Sequence, residues 1–160
     1  MILSLGVIVL VAGFIYIFIP HDDSRPPVKR VDYRIELLTA RRAASYPVAA
    51  PEGLPTEWKA TSVRFRGDDF DRWHLGFQAP DGQYVAIEQS TQKPVVFIAD
   101  ASQGAEETET TARIGGRTWQ RYEGEKYDAL VLREKGSTTV VTGTASFDRL
   151  TAMAEALKTS

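Results

Sequence analysis

The sequence predicts an α+β fold: an antiparallel sheet of about six strands in hairpins and a meander, with a packed C-terminal helix, preceded by one transmembrane helix. Three patterns predict it. Apolar and polar residues alternate at a spacing of two through several stretches after Trp58, and glycine-rich or acidic tight turns separate those stretches. Near the C-terminus the apolar spacing changes to that of a helix.

The first element is the stretch MILSLGVIVLVAGFIYIFIP. Met1 to Ile19 holds no charged residue. Nineteen helical residues at 1.5 Å each span roughly 28 Å, close to the ~30 Å hydrocarbon layer. Ser4 can bond back to its own helix, and Tyr16 lies near the end, where aromatic rings favour the membrane interface. Pro20 stops the helix, and His21, Asp22 and Asp23 follow at once. A cleaved signal peptide would have a shorter apolar run and small residues at the cut, where this chain has Phe18, Ile19 and Pro20. A buried core helix would show a polar face. The expected organisation is therefore a transmembrane anchor over 1–20, a linker over 21–30 and an α+β domain over 31–160.

The linker HDDSRPPVKR is polar and stiffened by proline. Val31 to Leu37 alternates like a strand, although LLTARRAAS favours a helix beginning near Asp32, and both readings stand. Pro47, Pro51 and Pro55 forbid a continuous helix or a central strand between Tyr46 and Pro55. Trp58 to Arg66 reads as a strand with Thr61, Val63 and Phe65 on one side and Trp58, Ala60 and Ser62 on the other. Gly67-Asp68-Asp69 is a turn. Trp73 to Ala79 and Tyr84 to Gln89 form a hairpin around Pro80-Asp81-Gly82.

Pro94 to Ala99 fits either a helical turn or a buried strand, and the acidic run Asp100 to Thr110 reads as a loop. Thr111 to Ile114, Gly115-Gly116 and Arg117 to Tyr122 make a second hairpin. Tyr127 to Arg133 and Thr138 to Gly143 extend it into a meander. Phe147, Leu150, Met153, Ala154 and Leu157 then share one helical face, with Ser146 placed as the N-cap.

Composition narrows the function. All 19 Lys and Arg, all 21 Asp and Glu and both His follow Ile19, so the net charge of −2 belongs to the soluble part. That balance lacks the basic excess of a nucleic-acid binder. The absence of cysteine excludes disulfides, thiol catalysis and Cys-ligated zinc. Residues 31–160 are enough for one core without such staples.

No motif with a catalytic spacing is present. His74 is the one histidine within the domain, and its strand position puts it opposite Trp73 and Leu75. A catalytic histidine would need a nucleophile and an orienting acid, which the sequence does not place, so a satisfied or solvated side chain is expected. One histidine is also too few for a His-based metal site. Asp68, Asp69 and Asp71 lack the spacing of a calcium loop and read as turn residues. Glu106, Glu107 and Glu109 read as a solvated face, and Gly115-Gly116 lacks the phosphate-loop pattern. Trp58, Trp73, Phe77, Tyr84, Trp119, Tyr122 and Tyr127 are expected in the core rather than around a ligand. No catalytic, cofactor-binding or metal residue is assigned, and no cofactor is expected.

The apolar start, the segment from Ala50 to Trp58 (APEGLPTEW) leading into Thr61-Ser62-Val63-Arg64, and the ending Thr142-Gly143-Thr144-Ala145-Ser146 together resemble an actinobacterial family of single-pass, membrane-anchored extracytoplasmic domains of unknown function. The resemblance covers nearly the whole chain and carries no established functional residues. It implies a basic cytoplasmic stub before the span, so a basic segment ahead of Met1 is expected to be missing. The positive-inside rule alone would put Arg25, Lys29, Arg30 and Arg34 in the cytoplasm. The resemblance implies the opposite side. The last fifty residues are also similar in shape to extracytoplasmic domains of bacterial anti-sigma and lipoprotein-type proteins, a likeness that says nothing of function.

The expectation is a plasma-membrane protein with its domain outside, acting by binding another envelope protein or a cell-wall component, without nucleic acid and without catalysis. The alternatives are an envelope enzyme of hydrolase type with a site assembled from Asp and His residues, and a carrier of an apolar small molecule.

Overall fold

The computed structural model describes residues 2–18 and 27–160. Helix α1 (Ile2–Phe18) has 17 residues and no charge. Its described side chains are all exposed, and none belongs to the domain's cores. Among the described residues no helix is long and apolar enough to cross a membrane. Ile19 and Pro20, where the sequence ends the span, and 21–26 of the linker lie outside the described residues.

The domain is α+β, as expected, but its sheet has seven strands. In chain order the elements are α2 (Arg34–Ala43), β1 (Ala50–Pro51), β2 (Lys59–Arg66), β3 (Arg72–Gln78), β4 (Tyr84–Ser90), α3 (Pro94–Ala101), β5 (Glu106–Ile114), β6 (Arg117–Glu123), β7 (Asp128–Glu134), β8 (Ser137–Gly143), α4 (Phe147–Ala156) and β9 (Leu157–Lys158). The large sheet runs β2-β3-β4-β8-β7-β6-β5, every pair antiparallel, while β1 and β9 form a separate two-residue ladder. Strand β5 is longer than the expected Thr111 to Ile114, because it takes in Glu106 to Thr110 of the acidic run that was expected to be a loop. Its threonines suit a pleated edge, and its glutamates stay in water because an edge strand needs only one partner. The Gly115-Gly116 turn joins β5 to β6 with φ of 59° and 77°, the conformation a two-residue hairpin loop requires.

Two readings left open by the sequence resolve as helices. The first element begins at Arg34, after Asp32 accepts a hydrogen bond from the Arg34 backbone N–H (3.1 Å), which ends the strand reading of Val31 to Leu37. Val31 N–H bonds Ala60 O at 2.8 Å along the edge of β2. Pro94 starts α3 at a position where a missing N–H costs nothing.

Strand β2 departs from its expected alternation. The register slips between Ala60 and Ser62, so Trp58, Ala60, Val63 and Phe65 all meet the same core. A bulge adds one residue and inverts the parity beyond it. Ser62 is thereby moved to the opposite face, where Gly76 is its partner on β3.

Each face of the sheet is covered over part of its area. On one, α4, α2 and the proline segment pack on Trp73, Leu75, Phe77, Ile87, Leu130 and Val141. Ser146 Oγ caps α4 by accepting from Arg149 N–H, as expected, and Leu150, Met153 and Ala154 are buried. Leu157 lies beyond the helix, in β9. On the other face α3 lays Phe97, Ile98 and Ala101 against Ala129, Val131 and Val140.

Trp73 is fully buried and its indole N–H donates to Ala49 O at 2.9 Å, pinning the proline segment to the sheet. Leu150→Ala is expected to cost about 2–5 kcal/mol through the cavity left under α4. Trp73→Phe is expected to cost about 1–3 kcal/mol by orphaning the Ala49 carbonyl. Urea unfolding of the purified chain measures both.

Candidate functional site

The face of the sheet that α3 only partly covers carries a row of polar side chains across β2, β3 and β4. It is built by strand parity: with Trp73, Leu75 and Phe77 in one core, Arg72, His74 and Gly76 point the other way. Glu88 stands opposite His74 on β4, and the bulge in β2 brings Ser62 alongside.

His74 joins the row on both ring nitrogens. Nδ1 lies 2.5 Å from Glu88 Oε1, and Nε2 lies 2.8 Å from Ser62 Oγ. The carboxylate only accepts, so Nδ1 carries the proton. Nε2 is then left as an acceptor for the Ser62 hydroxyl. Glu88 is buried, and its second oxygen has no hydrogen bond but sits 3.5 Å from Arg72 Nε. Arg72 in turn meets Asp100 of α3 at 2.6 Å, with its guanidinium 5.4 Å from the Phe97 ring centre. At the other end the Tyr84 hydroxyl comes close to Ser62 Oγ beside Gly76. Burial raises the Tyr84 pKa, and the Glu88 charge adds to the rise.

The row needs a glycine at its centre. A Cβ on Gly76 would collide with Ser62 Oγ and stand 2.9 Å from Tyr84 Oη. Space opposite the bulge, rather than an unusual backbone angle, is what this residue supplies.

His74 is therefore satisfied, as expected, but by a partner set that the sequence did not reveal. Ser62 was read on the same side as Trp58, and Glu88 is fourteen residues from His74 along the chain. Only a bulge and a register could join them. The other singled-out residues do not converge. Asp71 accepts from Ser45 N–H and Oγ–H, Asp68 lies 3.9 Å from Arg66, and no acidic or histidine group that could hold a metal ion is found among the described residues. Glu106, Glu107 and Glu109 are exposed. Trp58, Trp73, Phe77, Trp119 and Tyr122 are buried, whereas Tyr84 and Tyr127 form a half-buried pair with ring centres 6.1 Å apart.

Tyr33, Tyr46, Tyr84 and Tyr122 all have raised pKa values, each chiefly by burial. Below the ordinary tyrosine value of 10.0 both states keep the proton. Above it the unfolded chain loses protons that the folded chain retains, so stability falls as pH rises. Unfolding midpoints measured from about pH 9 to about pH 11 are expected to decline, and Tyr84→Phe is expected to flatten that decline.

No curated protein matches the chain. A family model described as protein of unknown function (DUF4245) matches residues 1–157, nearly the whole sequence, and the chain belongs to that family.

Proposed function

We propose that this protein is a single-pass anchored domain of the cell envelope, outside the plasma membrane, that works by binding another envelope protein or a cell-wall component. The observation that carries the membrane reading is α1. Its side chains are apolar on every side, with Leu10 at 74% and Ile17 at 77% exposure, and the domain covers none of them. Such a surface is stable only when something apolar surrounds it, and lipid is the covering that fits a uniformly apolar rod. Seventeen residues give roughly 26 Å, and the uncharged run of the sequence continues through Ile19. The resemblance to membrane-anchored actinobacterial domains supports the outward orientation.

An exposed aromatic ring on an acidic turn supports binding. Phe70, between β2 and β3, is 56% exposed with φ of 52°, unusual for a bulky residue. Its carbonyl accepts from Ser90 Oγ–H, Thr91 N–H and Thr91 Oγ–H at 2.9–3.1 Å. On the other side Ser45 holds Asp71. The start of α3 also exposes Val95 and Val96. Strain maintained by so many bonds, with an aromatic ring left in water, suits a contact surface. The clefts support carriage of an apolar molecule less well. Those of about 290 and 220 Å³ lie at or below the lower end of ligand-pocket sizes. A broader one of about 540 Å³ is walled by polar residues and glycines that include Glu106, Glu123 and Glu125.

The full chain is expected to stay with membranes through alkaline carbonate, while a chain lacking residues 1–18 is released. Protease added to intact cells is expected to digest the domain, and digestion only after lysis would place it inside. A photo-crosslinker at position 70 is expected to capture a discrete envelope partner, which the same group at Glu109 does not.

A further inference from the structure

We propose that Ser62 is a nucleophile, activated by His74 and oriented through Glu88, and that this sheet face cleaves carboxylic esters. The inference rests on geometry that the anchoring and binding reading does not use. It stands or falls separately.

The three groups stand in the order acyl transfer requires. His74 Nε2 is 2.8 Å from Ser62 Oγ, and Nδ1 is 2.5 Å from Glu88 Oε1. Both fall at or near the range for a base contacting its nucleophile and its orienting acid. Glu88 is buried beside Arg72, so its charge stays fixed where an imidazolium would form. His74 and Glu88 keep only 15% and 10% of their side chains exposed, whereas Ser62 remains partly open to solvent. The nucleophile's residue is the more open of the three, and the groups that activate it are sheltered.

Two neighbours complete the site. Tyr84 Oη, which like Ser62 Oγ lies within 3.0 Å of where a Cβ on Gly76 would stand, is a hydroxyl donor near the point of attack and can turn to a carbonyl oxygen as it gains charge. Arg64, opposite His74 in the β2–β3 register, adds positive charge on the same face. The Tyr84–Tyr127 pair, its rings tilted 41° to each other, provides apolar surface for an acyl group. Gly76 matters because any side chain there would occupy the space where Ser62 and Tyr84 meet.

The chemistry balances within these groups and one water. Ser62 Oγ forms a bond to the carbonyl carbon as its proton passes to His74 Nε2. The tetrahedral intermediate collapses by breaking the bond to the leaving oxygen, which takes the proton from Nε2 and departs as an alcohol. Water then attacks the acyl-serine, giving its proton to Nε2. The bond to Oγ breaks, the acid leaves, and the proton returns to Ser62. No redox partner or metal is required.

A fluorophosphonate probe tests this on the full chain in detergent. The expected result is one covalent adduct, mapped by peptide mass spectrometry to Ser62, and turnover of p-nitrophenyl acetate above the buffer rate. Ser62→Ala is expected to abolish both. His74→Gln is expected to slow labelling by about 100-fold or more, the scale of general-base assistance. Glu88 acts through His74 as a positioning residue, so Glu88→Asp is expected to recover labelling that Glu88→Gln loses. Absence of a Ser62 adduct on the folded wild-type chain would overturn the proposal without reference to any variant. So would labelling of His74→Gln at the wild-type rate. Neither result touches the membrane-fraction, protease or crosslinking experiments, which test the binding reading.

Discussion

The ladder between β4 and β8 is the constraint on which the rest of this domain depends. It joins the β2-β3-β4 unit to the β5–β8 meander, pairing Val85 through Ser90 with Gly143 through Thr138. Both strands are largely buried: β4 gives Val85 and Ile87 to one core, and β8 divides its side chains, with Val141 in that core and Val140 in the other. The close approach has a local requirement at Gly143, which adopts φ of 154°. A Cβ there would collide with the backbone of Tyr84, so the end of β8 reaches β4 only through glycine.

Once β4 is central, Glu88 is buried and its charge has to be met. The polar row answers that need from three directions: His74 from β3, Arg72 from the end of the same strand, and Asp100 reaching Arg72 from α3. A buried carboxylate with these partners fixes strand register as well as charge, since a shift of one residue would turn His74 into the opposite core. Gln89, its neighbour, does the matching work on the other face. Its side chain accepts from Ala49 N–H and donates to Thr139, tying the proline segment to β8.

The two halves of the sheet manage their edges differently. The outer edge of β2 is partly occupied by the segment entering from the linker, through the bond from Val31 to Ala60 and that from Arg30 to Thr56. The outer edge of β5 is left to exposed Glu106, Glu107 and Glu109, whose charges discourage a further strand from adding. Both the polar row and the Phe70 tip belong to the β2-β3-β4 half. In that half a bulge, a strained turn and a glycine opposite the bulge depart from regular sheet geometry.

By itself the sequence determined the α+β class, the Trp73–Gln89 hairpin, the Gly115-Gly116 hairpin and the capped C-terminal helix, because period, turn chemistry and capping act over a few neighbouring residues. It also determined that nineteen residues at the start carry no charge. It misplaced Ser62 and read the first half of β5, Glu106 to Thr110, as a loop. One extra residue in β2 inverts every side chain beyond it, and an edge strand can be as polar as a loop. Tertiary structure alone decided that Ser62, His74 and Glu88 meet, since their contact depends on a register among three strands that no local pattern encodes.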